Sequence, residues 1–429
     1  MLLSMTIENF KSVKSSQTIS FEAVKDNRLD PSKIIEVNDK INLIKTSAVI
    51  GPNGAGKSSF VRALEVLRRI VLSPREIENP LASSLSGTVF AYGIDKLTPA
   101  NISIDVLLKK GTEGNEEDPT IIGRYLLSAN REMVYEESLY YIVNGSKKLM
   151  FERKKIEGED GYAYRFGKLY RGDKKRAAKH LPQSRTFLSE SALAGGQTSS
   201  EMYSWFKNTL NILPMGVGTQ AEQFVADALK KHPGWGDMLV NYLWALDITD
   251  IRRVGVREKE DGTRSVVFTH VYVNDKKVDG YSNSFLMESL SLRRLVAIGI
   301  AFFTSFVSEK VLLIDDFGQL LHPDVLCHLV EIFESCNKHS QMLVVDCNPS
   351  LLKDGLLRKD AIWFAQKDNE SSTVFYSLSD FKGRSRTSNY NRYLQGAFGA
   401  LPVTSDFYFV HDGTPVDDVE EENEQKEEN

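Results

Sequence analysis

The sequence predicts an α/β protein: a discontinuous α/β domain whose two halves are separated by an antiparallel β subdomain and an inserted helical region. Three observations predict it. Ala48–Ile50 is a short apolar strand that runs into a glycine-rich loop and then into helical spacing. Residues 88–170 change to short alternating runs, separated by glycines and charged turns. From residue 265 onward, apolar strands and amphipathic helices alternate again, the pattern of βαβ units.

In order along the chain, Leu2–Phe10 and Gln17–Phe21 read as strands, and Ala48–Ile50 as a third. Ser58–Leu72 reads as a helix, because Phe60, Leu64, Leu67 and Val71 recur every three or four residues; Ser73-Pro74 ends it. The runs VFAYGI, ISIDVLL, RYLLSA, ESLYYIV and YAYRFGKLY, between Thr88 and Tyr170, are expected to pair as an antiparallel sheet. Glu190–Ala245 reads as helical, with GGQTSS at 195–200 as a loop. Strands follow at Ile251–Val256 and Ser265–Val273, then a helix Met287–Val307 and a strand Val311–Ile314. The remainder reads as helix Val325–Ser335, strand Gln341–Val345, helix Ser350–Leu357 and strands Ala361–Ala365 and Thr373–Ser377. The expected divisions are 1–95, 96–180 (β subdomain), 181–264 (helical insertion), 265–410 (second half) and an acidic tail at 411–429.

With 429 residues, 41% hydrophobic and 26% charged, the chain has the balance of a globular protein of two or three units. Its longest apolar run, Leu295–Val307, is too short to cross a bilayer, and the N-terminal residues lack a signal-peptide pattern, so a cytoplasmic protein is expected. Cys327, Cys336 and Cys347 have no metal-ligand or disulfide spacing. Charge is uneven. Asp417–Asn429 holds eight carboxylates and one lysine, an expected disordered tail, whereas residues 147–180 hold 12 Lys/Arg against five Asp/Glu. That basic stretch, with Arg153, Lys154, Lys155, Lys174, Lys175 and Arg176, is either a solvated face or a docking surface for nucleic acid or an acidic partner.

Gly51-Pro52-Asn53-Gly54-Ala55-Gly56-Lys57-Ser58 fits G-x-x-x-x-G-K-[ST] between a strand and a helix. Backbone N–H groups of Asn53, Gly54, Ala55, Gly56, Lys57, Ser58 and Ser59 can wrap phosphates there, because glycines allow the approach. Lys57 would reach the β- and γ-phosphates of ATP, and the Ser58 hydroxyl would ligate Mg²⁺. Val311-Leu312-Leu313-Ile314-Asp315-Asp316 supplies the second carboxylate: Asp315 for the metal, Asp316 for the attacking water.

The loop with Asn53 in it, and Leu321-His322-Pro323 after the acid pair, resemble the ABC-type ATPase heads of the SMC and OLD branch. Glu8-Asn9-Phe10-Lys11-Ser12 resembles the segment that this branch places near the nucleotide base, which implies base-side roles for Lys11 and Ser12. VYEESLYY (134–141), LMFERKK (149–155), RTFLSESA (185–192), SWFKNTLNIL (204–213), IWFAQKD…YSLSDFK and YLQGAFGALP (393–402) resemble the RloA/AbiLi-like ATPases of bacterial anti-phage operons.

The resemblance implies an ATP- and Mg²⁺-dependent ATPase acting as a switch in abortive infection. Two copies would sandwich ATP, and a neighbouring gene would encode the toxic effector. It also implies three departures. The catalytic glutamate is Asp316, one methylene shorter. The signature stretch reads Glu288-Ser289-Leu290-Ser291-Leu292-Arg293-Arg294-Leu295, with Ser289 and Ser291 implied to contact ATP on the other copy, and Arg294 expected to be solvated if Ser289 is only a helix cap. Cys347 stands at the switch histidine, unless it simply packs beneath the sheet. Slow hydrolysis is expected; the alternatives are a DNA-binding repair or tether ATPase and an ATP-binding scaffold without hydrolysis.

Overall fold

The computed structural model describes residues 1–405 except 27–28, 93–94, 96, 113–117, 214–215, 259–261, 275–276 and 383–386, together with 410–411 and 414–415. The tail Asp417–Asn429 lies outside the described residues.

Strand β1 (Leu2–Glu8) pairs antiparallel with β2 (Gln17–Ser20). A small hairpin, β3 (Ile34–Glu36) with β4 (Asn42–Ile44), leads into β5 (Thr46–Ile50), the glycine loop and helix α1 (Ser59–Val71). Phe60, Leu64, Leu67 and Val71 are all buried, as their spacing requires. After the short α2 (Pro80–Leu85), the expected strand VFAYGI is instead irregular as far as Tyr92, and Gly93 and Ile94 lie outside the described residues. The Phe90 amide donates to Asn9 Oδ1 at 3.1 Å, and Thr88 O accepts from the Lys11 amide, so this backbone is held by the β1–β2 turn and not by a ladder.

Strands β6 (Ala100–Lys109), β7 (Ile121–Ala129), β8 (Val134–Val143), β9 (Ser146–Lys155) and β10 (Tyr162–Phe166) follow as successive antiparallel neighbours. They continue the sheet of β1 and β2, giving the order β10-β9-β8-β7-β6-β1-β2.

The next segment contains α3 (Lys174–Ala178), α4 (Phe187–Leu193), α5 (Gln197–Ser204), β11 (Leu210–Ile212), α6 (Thr219–Lys231) and α7 (Trp235–Ala245). Two expectations fail here. The 195–200 loop is shorter than expected: Gly195, at φ +84°, ends α4, and Gly196 already caps α5. Leu210–Ile212, expected as helix, is a strand, because the open edge of β15 (Val311–Ile314) offers it a parallel ladder. A three-stranded sheet of β12 (Ile251–Glu258), β13 (Arg264–Asn274) and β14 (Lys277–Ser284) precedes α8 (Leu290–Phe306). After β15 come α9 (Pro323–Cys336), β16 (Gln341–Asp346), β17 (Ile362–Lys367), β18 (Thr373–Ser377) and α10 (Asn389–Leu394). The expected helix 350–357 is only the 3₁₀ turn Pro349–Leu352, and Gly355 turns the chain at φ +82°.

The second sheet has the order β11-β15-β16-β5-β17-β18, parallel except for β18. Its inner strands are buried on both faces, and alternate residues enter two different cores. Ala48, Ile50, Leu312, Ile314, Met342 and Val344 pack with α6–α9, while Val49, Val311, Leu313, Leu343 and Val345 pack with α1 and the antiparallel sheet. Residues 46–71 and 290–346, far apart in sequence, thus close one α/β domain. The architecture is the expected one: a discontinuous α/β domain with an antiparallel β subdomain and inserted helices.

Candidate nucleotide site

In-register parallel pairing brings the carboxyl ends of β5, β15 and β16 to one edge of the sheet: Ile314 lies opposite Val344, and Asp346 opposite Ile50. The glycine loop, the Asp315-Asp316 pair and the segment beginning at Cys347 therefore converge, the arrangement by which open α/β sheets build ligand sites.

Lys11, Ser12, Asn53, Gly54, Gly56, Lys57, Ser58, Ser59 and Asp316 line one cleft of about 600 Å³. Lys57 is buried and its ammonium donates to the neutral Pro52 carbonyl at 2.9 Å. Ser58 does not cap α1; its hydroxyl donates to Asp315 Oδ1 at 2.9 Å. Burial raises the Asp315 pKa, the Ser58 hydrogen bond opposes that, and the Asp316 charge adds to it. A desolvated carboxylate against a hydroxyl is a hard-oxygen donor set for a small divalent cation, and it fits Mg²⁺. Ala55, expected at the phosphates through its backbone, has its side chain buried within the loop.

Asp316 is exposed, with φ +49°, a left-handed conformation that Asp and Asn adopt more readily than most residues. Arg294 holds this turn. It is buried, not solvated, and its Nη2 donates to the carbonyls of Asp315 at 2.9 Å and Asp316 at 3.0 Å. Asp346 holds the next one: its carboxylate accepts from the Gly318 amide and, at 2.8 Å, from the Asn348 amide.

Several residues of the cleft carry no local motif. Phe90 and Tyr92 form an edge-to-face pair with ring centroids 5.7 Å apart on the side of Lys11 and Ser12, and Lys367 reaches in from the end of β17. Behind the loop, Thr373 of β18 donates to Ala55 O at 2.8 Å and meets Ser12 Oγ at 2.7 Å. A Cβ on Gly56 would lie 2.1 Å from Thr373 Oγ1 and 2.2 Å from Ser12 Oγ, so only glycine fits, at φ +90°.

Residues 47–345 match the family described as "AAA domain, putative AbiEii toxin, Type IV TA system". The chain belongs to this family. No curated protein matches the sequence. Among solved structures it is similar to an Smc head bound to the C-winged helix domain of ScpA (13% identity, 88% of this chain and 97% of that one, TM-score 0.46). It is also similar to the SMC head domain from Thermotoga maritima (13%, 88% and 98%, TM-score 0.37). A third is the Smc head with an extended coiled coil bound to the C-terminal domain of ScpA, derived from Pyrococcus furiosus (11%, 88% and 96%, TM-score 0.42). ATPase domains of this kind generally use ATP with Mg²⁺.

The other expected residues lie elsewhere. Ser289 caps α8, its Oγ accepting from the Leu292 amide at 3.2 Å, and both Ser289 and Ser291 are exposed. Cys347 is exposed at the end of β16, so the alternative of a thiol packed beneath the sheet is wrong. The basic stretch is not one charged face. Arg153 is fully buried, donating to Arg185 O at 2.6 Å and Pro182 O at 3.3 Å, and cannot meet a phosphate. Lys154 pairs with Glu136 at 3.1 Å, while Lys175 and Arg176 stay exposed on α3. Among the described residues, no helix is long and apolar enough to cross a membrane.

Proposed function

We propose that the chain binds ATP and Mg²⁺ in this cleft, hydrolyses ATP slowly, and acts as a switch in bacterial anti-phage defence. Two copies would close on two ATPs and hold or release a toxic effector encoded beside it. The observation that carries the nucleotide reading is the hydrogen bond from Ser58 to Asp315, two residues 257 apart in sequence that meet in the fold and would hold the cation together. Lys57 and the loop amides would hold the phosphates, and Lys11 and Ser12, with the Phe90–Tyr92 pair, the base side. Bound Mg²⁺ would neutralise charge that develops between the β- and γ-phosphates. Asp316 is the general base for the attacking water. Its carboxylate sits one methylene further back than a glutamate's, and a thiol at Cys347 is a weak donor, so turnover is slow.

The exposed Ser289 and Ser291, at the positive end of a 17-residue helix, suit a contact to the γ-phosphate held by a second copy. The RloA/AbiLi-like motifs support the defence role and the effector. Light scattering tests the sandwich: the mass should double with ATP and Mg²⁺, and Ser289→Arg should abolish the change by placing bulk and positive charge at the contact. Identical mass with and without ATP in the wild type would contradict the sandwich.

A further inference from the structure

His270 of β13 belongs to no local motif. In the fold, its buried ring stands between two carboxylates: Nδ1 lies 2.7 Å from Asp250 Oδ2, and Nε2 lies 2.8 Å from Glu288 Oε1. The other face of this site is closed by Tyr281 of β14, stacked on the ring at 5.0 Å and 10°. Glu288 immediately precedes Ser289, the cap of α8. Its carbonyl accepts from Arg293 Nε at 2.9 Å, and Arg293 also donates to Val217 O at 3.2 Å. Among the described residues, the titratable and charged groups around the ring are Asp250, Glu288, Tyr281 and, through the main chain, Arg293.

Ionised carboxylates only accept hydrogen bonds, so both ring nitrogens must donate, and only the imidazolium can do that. It also supplies the counter-charge to Glu288, whose side chain is 8% exposed, while Asp250 at 58% is open to water. A buried carboxylate that loses its counter-charge is relieved by turning towards water, and here that movement would carry the Ser289 turn with it.

We propose that His270 is a positioning residue: its imidazolium clamps Glu288 and so fixes the Ser289–Ser291 turn for the contact with a second copy, which makes ATP-driven closure sensitive to pH. This rests on the sandwich reading above. Burial pulls the imidazolium's pKa down, but the hydrogen bonds and charges of Asp250 and Glu288 more than offset this, so the folded value is raised. The clamp is therefore complete below the ordinary histidine value of about 6.5, and is lost as pH rises through the raised folded value.

The test uses the full chain with ATP and Mg²⁺, and reads the dimer dissociation constant between about pH 6 and 9.5, a window that brackets ordinary and raised histidine values. The wild-type dimer should weaken as pH rises. His270→Gln, which never carries charge, should weaken it about tenfold at the low end and remove the pH dependence. Asp250→Asn, a change at an exposed side chain, should move the inflection down by about one pH unit, since it removes one of the two anions. Affinity of the single head for a fluorescent ATP analogue should stay within about twofold in both variants, because the turn is not part of its own phosphate loop.

NMR of the His270 ring follows the same titration without needing a dimer. A His270 pKa unmoved by Asp250→Asn, or an inflection in dimerisation that persists in His270→Gln, would overturn the clamp. A ring that titrates as expected, in a protein that forms no ATP-dependent dimer at any pH, would overturn the sandwich and with it the role given to the clamp.

Discussion

Arg153 sits in the most basic part of the chain and is fully buried. It shares the interior with Glu137, its cross-strand neighbour, whose carboxylate accepts from the amides of Phe187 and Leu188 at 2.6 and 2.8 Å and from Tyr125 at 3.0 Å. Burial raises the Glu137 pKa; the Arg153 charge and the two amides oppose it. The guanidinium also covers the Tyr162 ring at 3.8 Å. Arg153→Met would leave the buried Glu137 without its counter-charge and would remove the guanidinium's hydrogen bonds to the Arg185 and Pro182 carbonyls, at a cost of about 3–5 kcal/mol. Urea unfolding of the variant measures this, and a change under about 1 kcal/mol, a solvated surface position's effect, would contradict the buried role. The string Phe-Glu-Arg-Lys-Lys reads as a surface by composition. The strand period says otherwise, since Phe151 and Arg153 share a face and Phe151 is core. His270 is different: nothing local marks it, because its partners come from a loop and from a turn before another element.

At the scale of elements, the glycine loop was legible because it is local: eight consecutive residues, a strand before it and a helix after it. Its support was not. Thr373 lies on β18, brought beside the loop only because β17 pairs with β5 and β18 with β17. Sequence periodicity names the strands but not their order, and the same blindness hid β11, which is a strand only because β15 has an open edge. The bracing has a measurable value. Thr373→Val keeps the shape but takes the Thr373 hydroxyl from the buried Ala55 O and leaves Ser12 Oγ only its longer contact with Ser59 Oγ at 3.3 Å, which should cost about 1–3 kcal/mol in stability and weaken ATP affinity. Thr373→Ser, which restores the hydroxyl, should recover most of both. Equal ATP affinity in the wild type and Thr373→Val, read by titration with a fluorescent ATP analogue, would show that the loop does not need the brace.

For the whole molecule, the discontinuity of the domain was readable, since a strand, loop and helix at 48–72 and an apolar strand with two acids at 311–316 are each incomplete alone. The alternation of inner-strand residues between two cores explains why those strands are continuous apolar runs, and why neither half can fold around only one face of the sheet. What the pattern could not supply is the cleft's far wall, with Phe90, Tyr92 and Lys367 gathered from an irregular segment and a strand end.

The central claim is that this cleft binds ATP and that Asp316, set in a left-handed turn by Arg294, is the base for its slow hydrolysis. Steady-state ATP hydrolysis by Asp316→Asn, with ATP affinity measured alongside, tests it most directly, because Asn tolerates the same backbone and differs only in basicity. Affinity should stay within about threefold of the wild type while turnover falls by about 10²-fold or more. Turnover by Asp316→Asn equal to that of the wild type would contradict the account.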